Sequence, residues 1–536
     1  MLYNEHMNEK VKVNQQDKPI FATVGIMMVV GFIGKIMGLF RDRMLVVHYG
    51  TDTAESIAFT AASVLPRVFL DIMFAAVFSA SFIPVFNEYL ETKGKREAFN
   101  LAARFIMMIG FITLAMTVLF IMLASPIFDI FVGAEYDNVV ISTLGVHLLR
   151  ILFPLMFLSG LAFSLASMLQ SLGNFNIPAA MSIVSNGIIL LYYFFFIDYF
   201  GIYGLAITFL IAWGAQIIIQ IPFLVKHRFK LSFRNFTWRD EGLRKIAQLS
   251  LPVMVATWVA PVNLLVNGRV SNIYGGEHGY VAINLAHGLY SIIAGLFVLS
   301  LANVILPKLS RLATLGNMNA YAESVRDSLK SLFFLLIPMT FGLMAIAHPL
   351  VRLVFQSGDF GHESTLVTST ALFYFSLGIL GFGLQVILCR AFYAIQYGRA
   401  PLITGIIAMV INLILSVMIA PIIGIGGPAL ASSISISISA ILLFIILRHK
   451  LPNQLFWTRD MTIDTIKIII ISIAMFFVAK HTLYFTESFF DEITFLARIF
   501  TILIPVILGA GLYILGCFLF RVSALRKITT QLWRKT

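Results

Sequence analysis

Basic side chains inside long apolar runs are the residues of this sequence best placed to bind a ligand. Lys35 and Arg41 lie six residues apart in the run Gly-Lys-Ile-Met-Gly-Leu-Phe-Arg-Asp at 34–42, and Arg67 directly follows Pro66 in the next run. A charge inside a bilayer costs about 2.5–3.5 kcal/mol on insertion scales, so it normally faces a partner or a wet cavity. Because guanidinium groups match the geometry of phosphate oxygens, these residues predict a pathway for an anion.

The other charges inside apolar runs favour the same prediction. Asp71 is the one carboxylate placed deep in a run, and it follows Arg67 by four residues, one helical turn, from where the two can pair. Taken singly, each cation is equally well explained as a side chain that reaches the membrane surface or caps a carbonyl. Four of them have no acidic residue nearby in the sequence: Lys35, Arg150, Arg269 and Arg390.

Small and rigid residues accompany these charges. Gly34 and Gly38 thin the first apolar run between its two cations, which allows a backbone or a bulky ligand to approach closely. Pro66 removes one backbone hydrogen bond beside Arg67 and predicts a bend there. A broken helix next to an arginine is a plausible contact for a polyphosphate, and a purely structural proline is the alternative.

Composition identifies the elements that carry these residues as membrane helices. The 536 residues are 59% hydrophobic and 12% charged, with a mean hydropathy of +0.92. These values exclude a soluble globular protein, and the apolar runs are long enough to cross a bilayer. The runs predict about fourteen spans: 19–40, 56–86, 101–125, 143–170, 177–199, 201–225, 248–274, 280–307, 329–355, 367–395, 400–422, 425–447, 463–486 and 493–520.

The net charge of +12 is distributed as in a membrane protein, which argues against nucleic acid as a partner. Most of the 38 Lys and Arg residues fall on one alternating set of loops and on both termini, whereas the other set carries mainly Asp and Glu. Basic loops face the cytoplasm. The asymmetry therefore predicts cytoplasmic termini and an even number of spans. The polar segment 1–18 has no small-residue cleavage site, so the first span is expected to be an anchor.

An internal repeat organises the spans. Helix-breaking or small residues recur at a separation of 223 residues: Pro84 with Pro307, Pro178 with Pro401, Gly201 with Gly424, Gly204 with Gly427, and Ala206 with Ala429. Duplicated membrane modules around a central path are how many transporters are built. The predicted fold class is an all-α polytopic membrane protein with two six-helix repeats, inserted the same way up, plus two C-terminal helices.

The predicted domains follow from the repeat. A cytoplasmic segment covers 1–18, an N-lobe 19–225 and a C-lobe 248–448, and the last two helices with a cytoplasmic tail cover 449–536. The linker 226–247 interleaves basic and aromatic residues, which indicates an amphipathic helix on the inner leaflet. An RNA-binding strip is the alternative, and the flanking spans argue against it.

The chain carries no motif for enzymatic or metal chemistry. It has neither the Gly-x-x-x-x-Gly-Lys-Ser/Thr loop of ATPases nor the His-Glu-x-x-His pair of zinc enzymes. Its two cysteines, Cys389 and Cys517, lie within apolar spans and suggest neither a disulfide nor a metal site. We therefore expect no enzyme, no metal and no cofactor. Net transport would then draw on the membrane potential or on an ion gradient.

Several stretches resemble the MurJ family of lipid II flippases, within the multidrug/oligosaccharidyl-lipid/polysaccharide (MOP) exporter superfamily. The run at 34–42 is similar to the family's first-helix motif, and Leu65-Pro66 with Phe-Ser-Ala-Ser-Phe-Ile-Pro-Val-Phe at 78–86 resembles its second helix. The resemblance continues through all fourteen spans. Its further matches are Leu-Pro-Lys-Leu-Ser at 306–310, Phe-Gln-Ser-Gly-Asp-Phe at 355–360, Arg-Ala-Phe-Tyr-Ala at 390–394 and Arg-Ala-Pro at 399–401.

The resemblance implies a substrate and a mechanism. Family members move lipid II, an undecaprenyl pyrophosphate that carries a disaccharide-pentapeptide, from the inner to the outer leaflet of the bacterial cytoplasmic membrane. Cavity arginines hold the pyrophosphate, the two lobes rock to give alternating access, and the last two helices form a groove for the lipid tail. Arg41 matches a family arginine, whereas Lys35 stands in place of another and lacks its bidentate fork.

Two departures from the family pattern concern the substrate contacts. The family's second-helix arginine falls near Leu70, so Arg67 would have to serve instead. An arginine–glutamate pair of the eighth helix falls on Gly288 and Ser291, where His287 could supply a titratable cation or be a hydrogen-bonded structural residue. The predicted substrate-binding residues are Lys35, Arg41, Arg67 and Asp71, with weaker candidates in the C-lobe: Arg269, His287 and Arg390.

Three functions stay open at this stage. The preferred hypothesis is a lipid II flippase, whose partners would be membrane lipids and the cell-wall synthesis machinery, and a flippase for another polyprenyl-linked glycan is its variant. A cation-coupled drug exporter would need buried carboxylates, of which Asp71 is the only deep candidate. A membrane glycosyltransferase would need a long outward loop, and the acidic stretch at 128–137 is too short for that role.

Overall fold

The protein is α-helical throughout the part that the computed structural model describes, which comprises residues 17–132, 139–229, 240–257, 259–451, 457–489 and 494–523. Side chains at 17–28 and 71–77, and at several positions between 251 and 307, lie outside this description. The helices are α1 (Asp17–Tyr49), α2 (Ala54–Ala76), α3 (Ile83–Thr92), α4 (Gly94–Met122), α5 (Ala124–Phe131), α6 (Val139–Leu152), α7 (Leu155–Ser171), α8 (Asn176–Phe195), α9 (Ile197–Ile218), α10 (Ile221–Lys226), α11 (Glu241–Thr257), α12 (Val259–Tyr274), α13 (Gly279–Thr314), α14 (Met318–Phe355), α15 (His362–Ser376), α16 (Ile379–Ala394), α17 (Arg399–Ile423), α18 (Gly426–Lys450), α19 (Arg459–Phe489) and α20 (Phe495–Leu519).

Each predicted span coincides with one helix or with a broken pair of helices, which confirms the all-α polytopic class. Nine of the described helical stretches are long and apolar enough to cross a membrane, and α15 with α16, bent by 46° at their junction, could form a tenth span. The total of fourteen spans stays a prediction. Pro66 lies inside α2 without ending it, and a π-helical turn, Val77–Phe82, separates α2 from α3.

The predicted repeat has a counterpart in backbone conformation. Gly201, at a kink within α9, has φ 53° and ψ −150°, and Gly424, between α17 and α18, has φ 57° and ψ −133°. This left-handed region is open to glycine at little cost and is unfavourable for residues with a Cβ atom. Pro178 and Pro401 also occupy the same place, since each is the third residue of its helix, α8 and α17.

By its internal contacts, the chain forms two compact units that interleave along the sequence. Unit 1 comprises Met1–Arg41, Phe74–Ile121 and Arg150–Leu251, and unit 2 comprises Asp42–Met73, Met122–Leu149 and Pro252–Thr536. The boundaries fall inside α1 and inside α11, so neither helix belongs wholly to one unit. The lobe limits expected from the sequence, 19–225 and 248–448, stay predictions.

Unit 1 packs α9 against α7 and α8, and short residues at the helix contacts allow a close approach. Gln220, which is fully buried, donates from Nε2 to the carbonyl oxygens of Ala162 (3.2 Å) and Gln216 (2.9 Å). Of the linker predicted at 226–247, residues 230–239 lie outside the described part, and α11 already begins at Glu241. The amphipathic helix therefore stays a prediction.

Unit 2 contains the second repeat and the two last helices. Helix α17 packs on α18, and α14 packs on both α19 and α20. Polar groups fasten these contacts, because Tyr513 Oη donates to the Phe334 carbonyl at 2.6 Å and Tyr321 Oη donates to the Ala391 carbonyl at 2.6 Å. The segment 42–73, which belongs to the first repeat by sequence, is also part of this unit.

Candidate functional site

A glycine stripe on α1 ends at Arg41. Gly34, Gly38 and Arg41 follow one another at intervals of four and three residues, which places them on one face of the helix. A Cβ atom added to Gly34 would lie 2.9 Å from Ser182 Oγ, and one added to Gly38 would lie 3.6 Å from Asn186 Nδ2. The glycines therefore allow α8 to pack directly against the α1 backbone.

Asn186 on α8 connects this stripe to the arginine. Its Oδ1 accepts a hydrogen bond from Arg41 Nη1 at 3.0 Å, and its Nδ2 donates to the Gly34 carbonyl at 3.1 Å and to Ser182 Oγ at 3.2 Å. Asn186 is only 4% exposed. A buried amide with both ends engaged has one orientation, so it fixes the side of Arg41 from which the guanidinium is held.

An aromatic ring completes the described surroundings of Arg41. The guanidinium carbon lies 5.6 Å from the centre of the Phe209 ring of α9, within the range of a cation–π contact. The side chain is half-buried. Arg41 is therefore a positioned cation within unit 1, and its planar group has the geometry that phosphate oxygens require.

Lys35 occupies a different face of α1. At about 100° per residue, it is turned away from Gly34, and its six-residue separation from Arg41 places the two side chains roughly 120° apart around the helix. The structure shows an exposed Lys35 next to a buried Gly34. The two cations predicted to act together are thus not brought to one face, and only Arg41 joins Asn186.

In unit 2, the structure brings Arg67 and His287 into electrostatic range of each other. Arg67 is exposed on α2 beside the buried Pro66, and the His287 ring packs on α13 against Phe375 (centroids 5.6 Å apart) and Tyr290 (6.1 Å). The predicted substitution of His287 for a missing charge is therefore compatible with its position. The side chain of Asp71 lies outside the described residues, so its pairing with Arg67 stays a prediction.

Arg269 and Arg390 lie in separate surroundings. Arg269 is half-buried on α12, and within the described chain its Nη1 atom is buried without a hydrogen-bond partner. Arg390 is half-buried on α16 and interacts with Cys389 and Tyr393 of its own helix. Among the described contacts, none joins Arg390 to Arg67 or His287.

Sequence reasoning missed a second buried amide network, which lies in unit 2. Ser432 Oγ accepts from Asn267 Nδ2 (2.7 Å) and from Asn412 Nδ2 (3.0 Å), and Ser416 Oγ donates to Asn267 Oδ1 at 3.4 Å. Asn412 and Ser416 are fully buried. Asparagine inside an apolar run is the signal that could have identified both this network and Asn186.

The two amide networks occupy corresponding places in the repeat. Asn412 follows Asn186 by 226 residues, and Asn267 follows Arg41 by the same number. The position that is a cation in the first copy is therefore a neutral amide in the second. The repeated helices keep the polar contact, and only the first copy offers a guanidinium to an anion there.

Comparison with known proteins gives one consistent result. The family model described as "Lipid II flippase MurJ" matches residues 48–507. A "Probable lipid II flippase MurJ" of Vibrio cholerae is 27% identical over 423 residues, which cover 77% of this chain and 80% of the relative. The Haemophilus influenzae protein of the same description is 25% identical over 511 residues, 90% of this chain and 98% of the relative.

Solved structures share the fold. A lipid II flippase MurJ in an inward closed conformation matches with a TM-score of 0.75 at 24% identity, covering 92% of this chain and 98% of that one. An inward-facing multidrug transporter of the MATE family matches with a TM-score of 0.69 at 16% identity, covering 79% and 97%. These similarities concern the fold alone.

The family match spans most of the sequence and extends over both units. The multiple apolar helices agree with it, so the chain is an integral membrane protein. At the positions where the family resemblance led us to expect charges, it has Leu70, Gly288 and Ser291, and the structure places the exposed Arg67 less than one helical turn from the buried Leu70. The family model covers far more than half of the chain, and this protein therefore belongs to the lipid II flippase MurJ family.

Proposed function

We propose that this protein moves lipid II from the inner to the outer leaflet of the bacterial cytoplasmic membrane. Family membership supports this function, since the relatives are described as probable lipid II flippases. The observation that carries the proposal is Arg41, a half-buried guanidinium held by a buried amide inside an apolar helix. Such a cation suits the pyrophosphate that joins the lipid to its glycan.

The proposed binding step uses charge and geometry. The pyrophosphate carries negative charge on several oxygens, and a guanidinium can donate two parallel hydrogen bonds to such a group. Asn186 holds Arg41 from one side, so binding requires less ordering of the side chain. Arg67 with His287 would provide a second positive region, and Lys35, as an ammonium without a fork, would contribute attraction at longer range.

A flippase for another polyprenyl-linked glycan is the second candidate. Leu70, Gly288 and Ser291 are uncharged where the family pattern has charges, so part of the contact to the substrate headgroup would differ. The pyrophosphate is common to both substrates, and the Arg41 site would serve either. A cation-coupled drug exporter is favoured only by the shared fold with the MATE transporter.

Orientation, energy source and partners belong to the same proposal. The basic loops favour cytoplasmic termini in the inner membrane of a bacterium. Alternating access between two repeats would expose the substrate site to each leaflet in turn. We propose no cofactor and no catalysis. The membrane potential, which supplies about 2.3 kcal/mol per charge per 100 mV, or an ion gradient would drive net transport, and cell-wall synthesis enzymes would receive the product.

Complementation tests the function directly. Cells depleted of their own MurJ are supplied with this protein, and growth and lipid II translocation are followed together. We expect rescue by the wild-type chain and loss of rescue with Arg41→Ala, because a charge-assisted hydrogen bond contributes about 1.5–3 kcal/mol, roughly ten- to a hundredfold in binding. Arg311→Ala is the matched control, since Arg311 is an exposed arginine in the last turn of α13.

Two results would contradict the proposal in different ways. Full rescue by Arg41→Ala, at wild-type levels of inserted protein, would remove Arg41 from the substrate site. A wild-type protein that inserts normally but neither rescues growth nor moves lipid II would favour another lipid-linked glycan. Binding of undecaprenyl pyrophosphate to the purified protein then decides whether the pyrophosphate site itself exists.

A further inference from the structure

Three loops of unit 2 meet in a buried cluster of polar side chains. The cluster consists of Thr51 after α1, His278 before α13, and Glu363 and Ser364 in the first turn of α15, and we call it the Thr51 cluster. Thr51 is fully buried and Ser364 is 3% exposed. The helices that these loops join come from both sequence repeats, because α1 opens the first copy and α13 and α15 belong to the second.

The cluster is a continuous chain of contacts. Thr51 Oγ1 donates to Ser364 Oγ at 2.8 Å and lies 2.7 Å from His278 Nδ1. On the other side of the ring, His278 Nε2 lies 3.7 Å from Glu363 Oε2. The imidazole therefore stands between a hydroxyl and a carboxylate.

The proton count of this chain depends on the charge of His278. Thr51 has one hydroxyl hydrogen, which it gives to Ser364, so its oxygen can only accept from Nδ1–H of the imidazole. A neutral imidazole with its proton on Nδ1 presents a lone pair from Nε2 to the Glu363 carboxylate, which is repulsive. Only the imidazolium, with protons on both nitrogens, satisfies Thr51 and Glu363 together.

Backbone contacts next to the cluster bring the same segments together. The Asp359 N–H donates to the Val47 carbonyl at 3.0 Å, and Arg43 Nη2 donates to Ser357 Oγ at 2.9 Å. Gly358 has φ +55°, and a Cβ atom there would lie 2.2 Å from the Val47 carbonyl oxygen. The end of α1 is thus packed tightly against the loop between α14 and α15, and the Thr51 cluster is the part of this contact that can change its charge.

Other ionisable side chains on the same segments are Asp52 and Glu55 near Thr51, Glu277 beside His278, and Asp359 and His362 near Glu363. Within the described residues, Glu363 is the carboxylate that comes within 4 Å of the His278 ring. The His362 ring instead faces His348, with centroids 6.3 Å apart. Glu363 is therefore the group whose charge His278 matches.

We propose that the Thr51 cluster is a proton-operated latch, closed when His278 is an imidazolium and weakened when the imidazole is neutral. Histidine changes charge between about pH 5 and 8, so the latch responds to physiological acidity. Its place in transport rests on the proposed function, in which the two repeats must separate at one end during each cycle. Acid at this end of the protein then favours the closed contact.

Hydrogen–deuterium exchange on the purified full chain tests the latch without any substrate. We expect the peptides that contain Thr51, His278 and Ser364 to exchange several-fold more slowly at about pH 5.5 than at pH 8, after correction for the intrinsic exchange rate. His278→Gln, which retains a hydrogen-bonding amide but cannot gain charge, should abolish this pH dependence. Glu363→Gln lies on the surface and should reduce it.

The control is His362→Gln, which removes a neighbouring histidine outside the cluster and should leave the pH dependence unchanged. An unaltered pH response in His278→Gln, or protection in the wild type that does not vary with pH, would overturn the latch. Because this measurement needs neither lipid II nor transport, its outcome is independent of the proposed function. A protein with the pH response but without lipid II translocation would retain the latch and lose the flippase.

Discussion

At the scale of single residues, the amide of Asn186 does for Arg41 what the sequence assigned to Lys35. A lone cation at this depth has many rotamers, whereas a buried amide that is itself held at Gly34 allows few. The contact joins residues 145 positions apart along the chain. The sequence indicated a charge in the membrane, but the residue that orients it could only be identified from the packing of α8 on α1.

We predict that Asn186→Leu lowers transport by about tenfold while the protein remains folded and inserted. The change removes the acceptor of the Arg41 hydrogen bond, and charge-assisted bonds contribute about 1.5–3 kcal/mol. Lipid II translocation in reconstituted vesicles measures the effect. Ser182→Ala is the control, because Ser182 bonds to Nδ2 of Asn186 and has no printed contact with Arg41; equal losses in both variants would point to a packing effect instead.

At the scale of elements, the loop between α14 and α15 requires glycine at one position only. Gly358 has a positive φ and approaches the Val47 carbonyl, whereas Gly361 has φ −80° and open space around its Cα. Phe-Gln-Ser-Gly-Asp-Phe at 355–360 was recognisable as a motif in the sequence. Its partner, the end of α1, was not, because the two segments are more than 300 residues apart.

We predict that Gly358→Ala destabilises the protein more than Gly361→Ala does. A left-handed conformation costs a residue with Cβ roughly 1–2 kcal/mol, and the contact with Val47 adds to that cost. Thermal unfolding of the purified protein should therefore show a lower midpoint for Gly358→Ala alone. Equal midpoints for the two variants would mean that the loop relaxes without loss.

The start of α11 gives a second prediction at this scale. Asp240 accepts a hydrogen bond from the Leu243 N–H at 3.1 Å and is also ion-paired with Arg104 of α4. Asp240→Ala removes a helix cap and leaves Arg104 without this partner, so we expect a loss of about 1–3 kcal/mol in the free energy of unfolding. Glu241→Ala serves as control, because the Glu241 side chain is 89% exposed and its pair with Lys93 is long. A similar loss in the control would argue against the cap.

At the scale of the whole molecule, the repeat was visible in the sequence because glycine and proline report backbone conformation directly. Gly201 and Gly424 share one unusual conformation, as their equal spacing predicted. The division into two units was not visible, since it depends on contacts. Residues 42–73 follow the first repeat in sequence but cluster with unit 2, and no local pattern in that segment records this.

The repeat leads to a paired prediction. Gly201→Ala and Gly424→Ala should each lower the midpoint of thermal unfolding, and by similar amounts, because both place a Cβ atom in the same left-handed conformation. Gly511→Ala is the control, since nothing lies within 4 Å of a Cβ there and alanine is favourable in a helix. A loss confined to one of the two glycines would show that the copies do not carry equivalent turns.

The continuity of α1 has a thermodynamic consequence. Arg41 lies within this helix and Thr51 lies just beyond its end, ten residues or about 15 Å along the same rigid segment. If an anion at Arg41 and a proton on His278 favour different placements of the segment, each must change the affinity for the other by the same factor. Acidity would then alter how tightly the protein binds its lipid, and the lipid would alter how readily the protein takes up a proton.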